Sequence, residues 1–343
     1  MPCGEYFTSY QERMGLVRWR TERIAFLLAL PIPFLLPFVL GGGAVSLLTY
    51  IYIMIIAVLG LHVILGYAGE IVLAQGAFMA IGAYTATRLV SAGTGMIPAM
   101  IVGGLITAFV AVMFGLPSYR VKGFYIAIST LALQFIAEWF FERNTYAWLH
   151  GGSQQSMPRE LALVGDSLTI SSATEQYFLA FVVMAIFAIL TLNLSRTGIG
   201  RTFRGIHEND LSSAVLGVNV FRNKLLAYAI GGFMIGVAGA LFAYYIGFVD
   251  PEHYTIEMTL EHYVMLLVGG MGRVWGVITG VGAVAILETW FRDTIGMIAA
   301  EAAPLVPVFF GVVIIFVLAV EPKGIMAALG KIKEYFRKWP YAY

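Results

Sequence analysis

Residues 44–65 read AVSLLTYIYIMIIAVLGLHVIL, and the fold turns on this stretch. Its 22 residues contain no Asp, Glu, Lys or Arg. A helix of that length rises about 33 Å, and about 20 mostly apolar residues suffice to cross the hydrocarbon core of a bilayer. Similar stretches lie near 24–40, 70–92, 97–116, 123–141, 176–195, 225–248, 259–271, 274–291 and 303–320. Together they predict an all-α, polytopic membrane protein of about ten transmembrane helices. Two members are irregular: glycines at 66, 69, 76 and 82 break the third, and 259–271 is short. Pro31, Pro33 and Pro37 bend the first. It reads as an uncleaved span, because Glu5, Glu12 and Glu22 flank it and no small-x-small cleavage site follows Gly43.

Composition agrees. Of 343 residues 59% are hydrophobic and 12% charged, about half the charge of a soluble domain. That argues against a soluble enzyme, a nucleic-acid binder and a disordered chain. The single cysteine, Cys3, rules out an internal disulfide framework and any zinc site built from several thiolates.

The cations set a direction. Arg13, Arg18, Arg20 and Arg23 precede the first span, Arg120 and Lys122 follow the fourth, and Arg196, Arg201, Arg204, Arg222 and Lys224 follow the sixth. With Arg273, Lys323, Lys331, Lys333, Arg337 and Lys338, ten crossings place 17 of the 21 cations on one face, leaving Arg88, Arg143, Arg159 and Arg292. The positive-inside rule makes that face cytoplasmic. The expected organisation is a cytoplasmic N-terminal segment (1–23), a membrane domain (24–320) and a cytoplasmic tail (321–343). Within the membrane domain, 142–175 is external and 196–224 cytoplasmic. The external face carries Glu142, Glu160, Asp166, Asp250 and Glu252, either as a solvated surface or as a docking surface for an outside partner.

Several chemistries are missing. The five histidines are scattered, and His207-Glu208 lacks the second histidine of a zinc-protease motif. No metal site and no catalytic set emerges. Glu70, Glu138, Glu261 and Glu288 fall near segment ends, so mid-span charge for proton or sodium coupling is scarce. The run Gly324 to Gly330-Lys331 has the wrong spacing for a Walker A loop and continues with Ile332. If ATP drives this protein, a separate subunit binds it, and the chain itself needs no cofactor.

The longest cytoplasmic loop contains a short helix from Asn209, which Asn209 or Asp210 caps and Gly217 ends, with Leu211, Val215 and Leu216 on one face. Such a helix either lies at the lipid interface or docks on a cytoplasmic partner. Gly232 and Gly236, like Gly276 and Gly280, are four residues apart, a spacing suited to close helix packing in lipid. The 66–82 segment, with Glu70 and Gln75 among its glycines, suits a position at a translocation path or a subunit interface. Gln75 there is either a helix–helix hydrogen bond or a path residue.

The run GYAGEIVLAQGAFMAIGAYTA (66–86) resembles the signature of the membrane subunits of branched-chain (hydrophobic) amino acid ABC importers, the LivM type in particular. RVKGFYIAISTLAL (120–133), LHGGSQQSMPRE (149–160) and TGIGRTFRGIHENDLSSAVLGVN (197–219) agree in order. So do KLLAYAIGGFMIGVAGALFAYYIGFVDPE (224–252), VMLLVGGMGRVWGVITG (264–280) and EPKGI (321–325). The resemblance implies a type II ABC importer-like permease fold in a bacterial inner membrane and a second permease subunit. It also implies two cytoplasmic ATP-binding subunits and a periplasmic solute-binding protein. It makes 205–219 the ATPase-coupling segment, with Glu208, Asn209, Asp210, Ser212, Ser213 and Gly217 at matching positions. Gly66, Tyr67, Gly69, Gln75, Gly76 and Gly82 form the signature. Ser212 and Ser213 stand where the family usually has alanines, Ala214 where it often has glutamate, Gln75 in place of a usual histidine and Val72 of a usual serine. A stand-alone secondary transporter or channel for a small organic solute is the alternative, and a scaffold without transport a third reading.

Overall fold

The computed structural model describes residues 32–116, 124–143, 151–158, 161–162, 169–170 and 172–298, with 311, 315 and 324–326 besides. The expected segment 1–23, nearly all of the stretch 303–320 and most of the tail 321–343 lie outside the described residues. Eleven α-helices form among the described residues. The first is α1 (Ile32–Val39). Next, α2 (Gly42–Leu61) runs without a break into a π-helical turn, His62–Tyr67. Then come α3 (Gln75–Ser91), α4 (Met96–Gly115) and α5 (Phe124–Glu142). After α6 (Ala173–Leu194) follow two short helices, α7 (Gly198–Glu208) and α8 (Asp210–Val215). The last three are α9 (Val220–Ile246), α10 (Ile256–Gly269) and α11 (Val274–Ile298).

Among the described residues, five helical stretches are long and apolar enough to cross a membrane: Gly42–Tyr67, Met96–Gly115, Ala173–Leu194, Val220–Ile246 and Val274–Arg292. Their outward side chains match that solvent. Leu105 and Phe109 of α4, Phe135 and Ile136 of α5, and Ile189 and Leu190 of α6 are all exposed. An apolar surface on this scale suits lipid rather than water.

Helix α9 is the centre of the bundle and packs on α2, α3 and α4; α6 lies on another side of α2, and α10 pairs with α11. Small residues bring the axes close. A Cβ on Gly82 of α3 would fall inside the carbonyl of Gly236 of α9, and one on Gly239 inside the carbonyl of Met79. Gly232 faces Ala111 of α4, where an added Cβ would lie 2.6 Å from the alanine Cβ. Gly276 and Gly280 press on α10, against Gly269 and Met265. Backbone contact of this kind gains dispersion energy where lipid supplies no hydrophobic drive between helices.

The third apolar stretch is a non-helical lead followed by one helix, which Gly76 and Gly82, expected to break it, leave unbroken. Residues 68–74 are non-helical, and α3 begins only at Gln75. With 17 residues α3 rises about 26 Å, and with 14 residues α10 rises about 21 Å, both short of a ~30 Å core. Just after α9, strand β4 (Phe248–Val249) pairs antiparallel with β1 (Gln155–Ser156); a separate ladder pairs β2 (Leu161–Ala162) with β3 (Thr169–Ile170).

Candidate functional site

The loop between α6 and α9 holds more structure than its composition suggests. Thr197 caps α7 through its hydroxyl, which accepts from the Gly200 amide at 3.3 Å. Phe203 and Ile206 point inward and are buried. Asn209 then ends α7 in an extended conformation and caps α8, its Oδ1 accepting from the Ser212 amide at 3.0 Å. The short helix expected from Asn209 to Gly217 is α8, and the first residues of the 205–219 segment belong to a separate helix, α7, that ends at Glu208. Gly217 closes α8 at φ +86°, with its own amide on the Ala214 carbonyl and the Val218 amide on the Ser213 carbonyl. This is the paired bonding of a Schellman stop. Ser213 is the buried member of α8, close to Gly205. Leu211, Val215 and Leu216 point away from the chain and are 72%, 81% and 84% exposed. Glu208 and Ser212 are exposed beside them.

Two groups of residues that were separate in the sequence meet here. The signature's first residues, at the end of α2, pack against α7. His207 donates from Nδ1 to the Gly66 carbonyl at 3.1 Å, and the Arg204 guanidinium lies 5.8 Å from the centre of the Tyr67 ring. Gly69 sits at φ +75°, and a Cβ there would lie 3.0 Å from the His207 ring. Glu70 follows, and Lys224 near the start of α9 bonds both its carboxylate (2.6 Å) and that of Asp210 (2.8 Å). A polar cleft of about 320 Å³ lies between Gly69, Glu70, Glu208, Asp210 and Lys224. Gly66, Tyr67 and Gly69 thus stand at the α7–α8 end of the bundle. Gln75, Gly76 and Gly82 stand deeper.

The deeper part is the non-helical segment and the start of α3. A helix start leaves amides without intrahelical partners, and at membrane depth water does not supply them. Other helices do. The Tyr263 hydroxyl of α10 accepts from the Val72 amide (2.9 Å) and donates to the Val72 carbonyl (3.0 Å). The Leu73 amide donates to Thr130 of α5, the Gly76 amide to Thr259 of α10, and the Ala77 amide to Oε1 of Gln134, at 2.8 to 2.9 Å. Gln134 also donates to the Tyr254 carbonyl (2.6 Å) and to Glu138 (2.8 Å). Gly76 is required sterically, since a Cβ there would lie 2.6 Å from the Tyr254 carbonyl oxygen. Gln75 is fully buried; its Nε2 donates to the Ala57 carbonyl at 3.2 Å, and its Oε1 meets no partner.

Thr130, Gln134, Thr259 and Tyr263 escaped the sequence reading. A glutamine in the middle of an otherwise apolar stretch was the one available signal. Replacing it by leucine strands the Ala77 amide and the Tyr254 carbonyl, each at about 1–3 kcal/mol. Gln134→Leu is therefore expected to lower the thermal midpoint of the detergent-solubilised protein by several degrees, read by intrinsic fluorescence.

Long apolar helices, two shorter ones and a polar cap built across helices at depth define a polytopic membrane protein with a non-lipid interior. The chain belongs to the family described as branched-chain amino acid transport system / permease component, whose profile matches residues 43–318. It is 30% identical over 278 residues to the high-affinity branched-chain amino acid transport system permease protein LivM of Salmonella typhimurium, and 31% identical to that of Escherichia coli K12. Each match covers 75% of this chain and 65% of the relative, so the chain spans just under two thirds of their length. The autoinducer 2 import system permease protein LsrC of Enterobacter sp. strain 638 is 26% identical over 55% of this chain and 51% of its own. No solved structure matches.

Proposed function

We propose that this chain is a permease subunit of an ATP-binding cassette importer in a bacterial inner membrane, with α7 and α8 on the cytoplasmic side. It forms the translocation path with a second permease subunit and takes its energy from two separate ATP-binding subunits. A periplasmic binding protein delivers the solute, a small hydrophobic amino acid or related molecule. The observation that carries this reading is α8. A six-residue helix, stopped at both ends, turns Leu211 and Val215, with Leu216 at its C-cap, outward instead of into its own protein. The relatives support the transport class, because their names join a permease role to import of branched-chain amino acids or of autoinducer 2.

The test is co-purification from native membranes, followed by uptake of labelled leucine, isoleucine and valine in inside-out and right-side-out vesicles. Stoichiometric ATP-binding subunits and ATP-dependent uptake are expected. Uptake without them, driven by an ion gradient, would instead establish the stand-alone carrier.

Shortened helices whose ends meet inside a bundle are where transporters commonly hold their solute. On this reading the segment 68–77 borders the path, with Gln75 contributing the unpaired Oε1. Gln75→Ala is expected to change the rate or order of uptake across an amino acid panel while assembly stays intact. An unaltered panel removes Gln75 from the path.

A further inference from the structure

The buried charges at the α7–α8 end invite a question that the docking of α8 alone does not answer. Lys224 is the third member of a chain of contacts, and its position is an unfavourable one by itself. It lies just past the first turn of α9 and is 5% exposed, and burying an unpaired ammonium is costly. What holds it charged there is the pair of carboxylates, one from each side. Asp210 comes from the first turn of α8, and Glu70, 4% exposed, comes from the segment that leads into α3. Glu70 is itself anchored, its amide donating to the Ile64 carbonyl at 3.1 Å. Its second carboxylate oxygen is buried and without a hydrogen-bond partner, so Lys224 is what balances it. One ammonium therefore joins three elements: the exposed helix α8, the central helix α9 and the non-helical run 68–74. That run ends at the amides held by Thr130, Thr259 and Gln134.

We infer that Lys224 is a positioning residue for energy coupling. It ties Asp210 of α8 to Glu70, so that displacement of α8 is passed to the 68–74 segment and the start of α3. The inference rests on the importer reading given under the proposed function. The geometry favours transmission over simple anchoring for one reason. The link runs directly from α8 to the central helix and to the 68–74 segment, whereas the other hold on α8 described above, Ser213 against Gly205, reaches only α7. A shift of α8 either carries Lys224 and Glu70 with it or draws a carboxylate away from an ammonium whose side chain is only 6% exposed, which is resisted.

The experiment uses the whole complex, purified through this chain with its ATP-binding subunits. Cys3, the only cysteine, is changed to serine, and the half-exposed Ile71 becomes the reporter as Ile71→Cys. The rate of maleimide labelling of this chain is measured with and without Mg–ATP and vanadate. With Lys224 present, nucleotide should change the rate at least threefold. Lys224→Met should abolish that response while the ATP-binding subunits still co-purify and hydrolyse ATP. Lys224→Arg, which can still bridge two carboxylates, should retain it.

A Lys224→Met complex that responds like the parent overturns the inference, and so does a parent that shows no response. Should Lys224→Met fail to assemble, Glu70→Gln decides: a full nucleotide response there leaves the triad a structural clamp and overturns the coupling role. If no ATP-binding subunit co-purifies with the unsubstituted chain, the proposed function itself fails, a result distinct from the others.

Discussion

Gly82→Leu is expected to leave no monodisperse protein after detergent extraction. Gly82 stands where α3, α4 and α9 cross: its missing Cβ leaves room for the Gly236 backbone, and a Cβ on Gly103 would lie 2.9 Å from the Gly82 carbonyl oxygen. Overpacking a core costs about 1–3 kcal/mol when side chains can move aside. Here the obstacles are backbone atoms of two long helices, so the helices must separate. Separation also opens the Gly236–Thr107 contact and the Met79–Gly239 contact along the same seam. Gly282→Leu in α11 is the matched control, because nothing lies within 4 Å of a Cβ there. Size-exclusion profiles of the two variants, expressed in parallel, check the claim: aggregation for the first, a parental peak for the second. A parental peak from both would mean that the glycine seam does not govern assembly.

Gly217→Arg is expected to abolish co-purification of the ATP-binding subunits with the membrane chain intact. Two effects combine. A side chain at φ +86° strains the stop of α8 by about 1–2 kcal/mol. The guanidinium then stands beside Leu211, Val215 and Leu216, the face proposed to enter the partner, where a charge must be desolvated on docking. Within this chain an added Cβ at 217 meets no atom within 4 Å, so insertion and folding of the bundle should be untouched. Gly217→Ala separates the two causes, since it carries the strain without the charge or the reach. Partial retention of the subunits is expected for Ala and none for Arg. If the arginine variant co-purifies its subunits normally, α8 is not the contact.

These two glycines show what could be read before any coordinates. The stop at Gly217, the cap at Asn209 and the apolar triplet between them are local signals, written within nine residues, and the sequence reading named all of them. Long apolar runs are similarly local, and the boundaries of α2, α4, α6 and α9 fall within about five residues of those predicted. Helix α7 was not legible, because Gly198, Gly200 and Gly205 depress its helix propensity while tertiary packing of Phe203 and Ile206 overrides it. The cap of α3 was not legible either. Its donors and acceptors lie 57 to 191 residues apart, and no periodicity encodes a partner at that distance. Lys224 was counted for orientation only. Its two carboxylates come from separate loops, and only the folded chain brings them to one ammonium.

The long reach of those bonds has a consequence for how the protein is made. Val72 and Gly76 wait for Tyr263 and Thr259, which leave the ribosome 191 and 183 residues later. At elongation rates of about 5–20 residues per second that delay is roughly ten to forty seconds. During it the first half of the chain is already in the bilayer, with amides at depth that nothing yet satisfies. Helix α3, at about 26 Å, falls short of a ~30 Å core by itself, so α2 and α4 hold it until α10 arrives. A nascent chain that stalls before α10 therefore exposes an unfinished polar seam, the kind of defect that membrane quality-control proteases recognise. Completion of the last third of the chain is what licenses the first.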